Sequence, residues 1–92
     1  MAGRIEYYIH SDFITLNKGG ALVQVSSLTD FATRTQDFIE FAKLVAKMAY
    51  AADSEDYATI VDTFPDVEIS RKNLIDSLKE NIVVENIKIL KV

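Results

Sequence analysis

The chain has 92 residues, 49% of them hydrophobic and 26% charged, with a formal net charge of −4 at pH 7, which describes one small folded domain over residues 1–92 rather than a disordered segment. It has no cysteine, which excludes disulfides, thiolate nucleophiles and thiolate metal sites. The acid surplus argues against sequence-independent binding of nucleic acid, which needs cations to meet the phosphates.

The opening residues Met1 to Glu6 lack the basic start and apolar stretch of a signal peptide. Nowhere does an apolar run approach the roughly 18 residues of a membrane span. The expected setting is therefore cytoplasmic, without membrane contact.

The first quarter reads as strands. Ile5, Tyr7 and Ile9 alternate with Glu6, Tyr8 and His10, the period of two that marks a half-buried strand. If the first three face a covering helix, Tyr8 is left on the outer side. Ser11-Asp12 is turn chemistry, and Phe13 to Leu16 predicts a second short extended run. Asn17-Lys18-Gly19-Gly20 supplies residues tolerant of positive φ for a hairpin. Ala21 to Ser26 predicts a third strand.

The middle of the chain is helical by pattern. Phe31, Phe38, Val45 and Ala52 fall seven apart, with Phe41 and Met48 between them, and form one broad apolar stripe. Asp30, Thr33 and Thr35 compete as its N-cap. Asp53-Ser54-Glu55-Asp56 predicts a fresh helix start, followed by Tyr57, Ile60, Val61 and Phe64 at helical spacing. Pro65 stops that helix, and Ser70 is a cap for a third one with Leu74, Ile75 and Leu78 facing inward. From Ile82 to Val92 the pattern returns to strand, with Ile87 and Ile89 alternating against Lys88 and Leu90. The fold class is therefore α+β: an N-terminal antiparallel meander and a C-terminal strand, packed against a long amphipathic helix with two shorter ones.

Few residues carry recognisable chemistry. His10 is the only histidine, so no multi-histidine metal site forms within one chain, and a turn or strand position explains it. Gly19-Gly20 lies between strands rather than opening a helix, so a hairpin explains it without a phosphate. The segment Asp62 to Asn73 fails as a calcium loop: Phe64, Val67 and Asn73 stand where a ligand, the sharp-turn glycine and the bidentate glutamate belong. No catalytic residue, metal or cofactor is assigned.

Charge segregation is the stronger feature. Between Met48 and Ser70 there is no lysine or arginine, while Asp53, Glu55, Asp56, Asp62, Asp66 and Glu68 all fall there. Such a stretch suits docking to a protein with a basic surface, with Tyr8 as an aromatic anchor; helix capping and solubility explain the same acids more plainly. Arg71, Lys72, Lys79, Lys88 and Lys91 form an opposite pole, compatible with a winged helix-turn-helix, although Asp76, Glu80 and Glu85 interleave with them.

The sequence therefore predicts a non-enzymatic, acidic protein-binding module: an inhibitor, immunity protein, antitoxin or regulatory subunit. Its partner is another protein, with a second copy of the chain also considered. A DNA-binding regulator using the last helix is the alternative, and a small-ligand or enzyme domain is a third.

Overall fold

A computed structural model describes all 92 residues and shows an α+β fold. Strands β1 (Ala2–His10), β2 (Gly19–Ser27) and β3 (Val83–Lys91) form one antiparallel sheet in the order β1-β2-β3. Between β2 and β3 run α1 (Asp30–Thr33), α2 (Gln36–Ala52), α3 (Tyr57–Thr63) and α4 (Asp66–Leu78). The C-terminal strand thus joins the N-terminal hairpin along β2, as the returning strand pattern predicts.

Helix α2 lies across one face of the sheet. Phe38, Phe41, Ala42, Val45, Ala46 and Ala49 are buried along its inner side, the three- and four-residue spacing of a helical stripe. Three of these are alanines, and their small side chains let the helix come close to Ala21, Val23 and Val25 of β2, which are buried beneath it. Ile60, Val67, Leu74, Ile82 and Ile87 close the core from α3, α4, the connection after α4, and β3. Fully burying one such large apolar side chain contributes about 1.5–3 kcal/mol.

The helix boundaries depart from the expected ones in two places. The long stripe is broken at its start: Thr35 caps α2 by accepting from the Phe38 N–H, and the one-turn α1 before it has its own cap, Thr29. Ser70 caps nothing, because α4 already begins at Asp66, directly after Pro65. Proline has no N–H to lose at a helix start, so the residue read as a stop also serves as a beginning.

Strand β1 is turned over relative to expectation. Glu6 is buried and Tyr8 and His10 are half-buried toward α2, while Ile5, Tyr7 and Ile9 stand exposed on the opposite face. The polar side is tolerated because Glu6 is paired with Arg4 Nε at 2.6 Å and the Tyr8 hydroxyl lies 2.8 Å from His10 Nδ1.

Phe13 to Leu16 form no strand. Asp12 folds this loop on itself, its carboxylate accepting from the Ile14 and Thr15 N–H groups at 2.9 and 2.6 Å, an Asx-type turn. The positive φ near the hairpin belongs to Asn17 (53°), not to a glycine. Gly19 and Gly20 are required for closeness instead. A Cβ on Gly20 would stand 2.5 Å from the Tyr8 carbonyl oxygen, and one on Gly19 would stand 2.8 Å from both the Leu90 oxygen and the Tyr50 ring.

Candidate functional site

Strand β2 ends in two buried serines, Ser26 and Ser27. Their hydroxyls reach across to the other end of the chain: Ser26 donates to Glu85 at 2.7 Å and Ser27 to Glu80 at 2.6 Å. Glu80 follows Lys79, whose left-handed conformation (φ 60°) ends α4. The same Glu80 carboxylate accepts from the Thr29 N–H at 2.9 Å and from the Thr29 hydroxyl at 2.6 Å. These bonds, from Ser27 first and then Thr29, hold the Glu80 carboxyl below the usual glutamate range.

Thr29 also works in the other direction, its Oγ1 accepting from the Ala32 N–H at 3.3 Å to cap α1. The Thr33 hydroxyl donates to the Asp30 carbonyl and that of Thr35 to the Ala32 carbonyl, each at 2.8 Å. Ala32 and Thr33 are buried on the inner side of this turn. Leu28 and Phe31 stay on its outer side, 70% and 71% exposed, with the exposed Asp30 between them. An aromatic and an aliphatic side chain are thus held in water on a backbone fixed at both ends. The loop after β1 also exposes apolar residues, Phe13, Ile14 and Leu16, but the side-chain bonds that shape it, from Asp12 and Ser11, are local; the Leu28–Phe31 turn is tied across 51 residues of chain.

The sequence hid this turn because Phe31 falls seven residues before Phe38 and reads as core. The signal that separates them is Thr35, a second capping residue inside the supposed helix.

The acidic stretch is largely committed to structure. Asp53 ends α2 in a left-handed conformation (φ 53°) and pairs with Lys91 Nζ at 3.1 Å. Glu55 accepts from the Ile89 N–H at 2.9 Å on the outer edge of β3. Asp56 caps α3, accepting from the Thr59 N–H and hydroxyl at 3.2 and 2.8 Å. Glu68 receives Arg71 through two parallel bonds of 2.8 and 2.9 Å and the Tyr57 hydroxyl at 2.9 Å. Arg71 holds the Glu68 carboxyl low, while burial, and then Glu68 itself, pushes the Tyr57 hydroxyl up. Asp62 and Asp66 remain exposed and unpaired. Tyr8 packs toward α2, its ring 5.7 Å from that of Tyr50; the outward tyrosine is Tyr7.

The fold and this site define a small scaffold that presents an apolar turn at a fixed angle. No protein-family model matches the chain. It is similar to proteins named elongation factor Ts: 36% identical over 80 residues to the chloroplastic one of Galdieria sulphuraria, covering 87% of this chain and 38% of that protein. To that of Nitrosomonas eutropha it is 39% identical over 79 residues, covering 80% of this chain and 27% of the relative. To that of a Synechococcus strain it is 33% identical over 88 residues, covering 94% and 32%. The chain thus spans between about a quarter and two-fifths of the length of these curated relatives.

That likeness corrects the expected function. Relatives named as elongation factors overturn the reading as an inhibitor, immunity protein, antitoxin or regulatory subunit, along with its DNA-binding and small-ligand alternatives. The DNA reading also fails on geometry. Arg71, one of its proposed phosphate contacts, spends its guanidinium on Glu68 and on the Ile82 carbonyl, which accepts at 2.6 Å.

Proposed function

We propose that this chain is a docking domain of the elongation factor Ts kind, and that its partner is elongation factor Tu, the protein that elongation factor Ts binds. The observation that carries the reading is Phe31, exposed beside Leu28 on a turn that Glu80 holds from the far end of the chain. Exposed aromatic side chains with little freedom left to lose are the usual anchors of protein interfaces. Phe31 enters an apolar pocket on the partner, Leu28 packs at its rim, and Asp30 meets a donor there.

The acidic stretch belongs to the proposal in a narrower form. Asp62 and Asp66, which have no ion pair, add a flanking contact to a basic patch, whereas Asp53, Glu55, Asp56 and Glu68 shape the surface around it. Tyr8 supports the scaffold from the helix side.

Titration calorimetry of the chain against purified elongation factor Tu tests this. Wild type binds, and Phe31→Ala weakens binding about thirtyfold or more, the effect of losing a central anchor, with the circular dichroism spectrum unchanged. Absence of wild-type binding, or equal affinity of Phe31→Ala, overturns the proposal.

A further inference from the structure

Helix α4 carries a cation on its inner side. Val67, Arg71 and Leu74 fall four and three residues apart, the spacing of one helical stripe, and both apolar members are buried. The Arg71 side chain is only 24% exposed, and so is that of Glu68, which accepts it in a two-bond fork, from Nε at 2.8 Å and from Nη2 at 2.9 Å. The Tyr57 hydroxyl, on the first residue of α3, donates to the same Glu68 carboxylate at 2.9 Å. A planar guanidinium held by such a fork has little orientational freedom left. Its remaining Nη1 points at the Ile82 carbonyl oxygen, 2.6 Å away. Ile82 lies two residues after Glu80, in the connection from α4 to β3, and its side chain is fully buried. Residues 80–82 make no backbone–backbone hydrogen bond, so the bond from Arg71 is the one that holds their main chain.

We propose that Arg71 is a positioning residue for the Leu28–Phe31 turn, acting through Ile82 and Glu80; the inference rests on the docking reading of that turn. The path is short. Tyr57 and Glu68 fix the guanidinium plane, and the guanidinium fixes the Ile82 carbonyl. Only the exposed Asn81 separates Ile82 from Glu80, whose carboxylate holds the Thr29 N–H and hydroxyl. On its other side Glu80 follows Lys79, which ends α4 with its N–H bonded to the Ile75 carbonyl at 2.8 Å. The Glu80 backbone is therefore fixed from both directions, and its carboxylate meets Thr29 without a search among conformers. Released at Ile82, the same carboxylate loses more conformational freedom each time it bonds, and the turn opens more often. A lysine at this position keeps the charge and not the geometry. Its ammonium is a point donor on a flexible stem, unable to hold the planar fork and aim at the carbonyl together.

Amide hydrogen exchange on the free 92-residue chain tests the relay, and dissociation from elongation factor Tu tests what the relay serves. Arg71→Lys speeds exchange of the Thr29 and Ala32 amides about tenfold, the size expected for one lost charge-assisted hydrogen bond. It speeds dissociation from the partner about tenfold as well, with the association rate little changed. In Glu80→Ala, where the tether is already cut, adding Arg71→Lys changes neither Ala32 exchange nor the dissociation rate further. A merely structural loss of stability acts equally in both backgrounds. Glu68→Gln, which keeps the side-chain shape and weakens the fork, gives the same pattern and decides the matter if Arg71→Lys does not fold. Thr29 exchange unchanged in the folded variants overturns the inference, and so does an Arg71→Lys effect that repeats in full in Glu80→Ala. Wild type that does not bind elongation factor Tu, with the relay still visible in exchange, sinks the docking reading and with it the role given to Arg71, by a result distinct from these.

Discussion

Glu80 holds Thr29 twice, by its backbone N–H at 2.9 Å and by its hydroxyl at 2.6 Å. The same hydroxyl caps α1, so one carboxylate after α4 sets the angle at which Phe31 leaves the surface. Replacing Glu80 by alanine removes the tether without touching Phe31. The expected result is weaker partner binding from a larger entropic cost of ordering the turn, read as a faster dissociation rate in surface plasmon resonance. Faster amide hydrogen exchange at residues 28–33 should accompany it.

The same tether responds to pH. The folded Glu80 carboxyl is depressed by its bonds to Ser27 and Thr29, so the folded state holds this proton more weakly than the unfolded chain does. Its contribution is complete above the ordinary glutamate range and is lost as pH falls through the depressed value. An NMR titration of the Thr29 amide shift should therefore show its inflection below the usual glutamate range. The inflection should vanish in Glu80→Gln.

Reversing the acidic stretch has two separable outcomes. Asp56→Lys removes the α3 cap, which accepts from both Thr59 groups; loss of a cap costs typically about 1 kcal/mol, read as a lower urea midpoint. Asp62→Lys with Asp66→Lys touches no bond within the chain. It should move the midpoint little, Asp66 standing in the first turn of α4 where its charge contributes about 0.3–1 kcal/mol, while lowering partner affinity and flattening its dependence on salt.

Phe38 is completely buried where α2 crosses the sheet. Phe38→Ala should cost about 3–5 kcal/mol, a large part of the roughly 5–14 kcal/mol available to a domain of this length. Chemical denaturation will show it as a shift in midpoint with little change in slope.

Gly20→Ala tests close approach rather than flexibility. Its Cβ would meet the Tyr8 carbonyl oxygen at 2.5 Å, a backbone atom with little freedom to move. The expected cost is about 1–3 kcal/mol, with the β1–β2 amides losing exchange protection first.

The helices and the outer strands were legible because their patterns are local. The returning strand announced itself through Ile87 and Ile89, the start of α3 through the run Asp53 to Asp56 (though Asp56 caps the helix rather than lying in its first turn), and the inner side of α2 through the spacing of Phe38, Phe41 and Val45. Orientation was not legible in β1. Ile5, Tyr7 and Ile9 alternate as a buried face should, yet the face that meets α2 is the one carrying Glu6, Tyr8 and His10, because Arg4 and the Tyr8–His10 pair satisfy its polar groups. The turn at Leu28–Phe31 was hidden for a related reason. Its fixity comes from Glu80, 51 residues downstream of Thr29, and no window of sequence places the two side by side.

Strand β2 has its first-made neighbour in β1 and its second in β3, with Gln24 and Asn86 bonded across 62 residues of chain. A polypeptide leaving the ribosome therefore carries an unfinished sheet, one edge of β2 bare, until Val83–Lys91 emerges. Pairing β3 with β2 closes a loop that contains all four helices, and closing that long loop precedes the reward of pairing. Strand β3, synthesised after all four helices, seals the β1–β2 hairpin, so a nascent chain halted before Val83 holds an exposed strand edge, which is the hazard that cotranslational chaperones exist to cover.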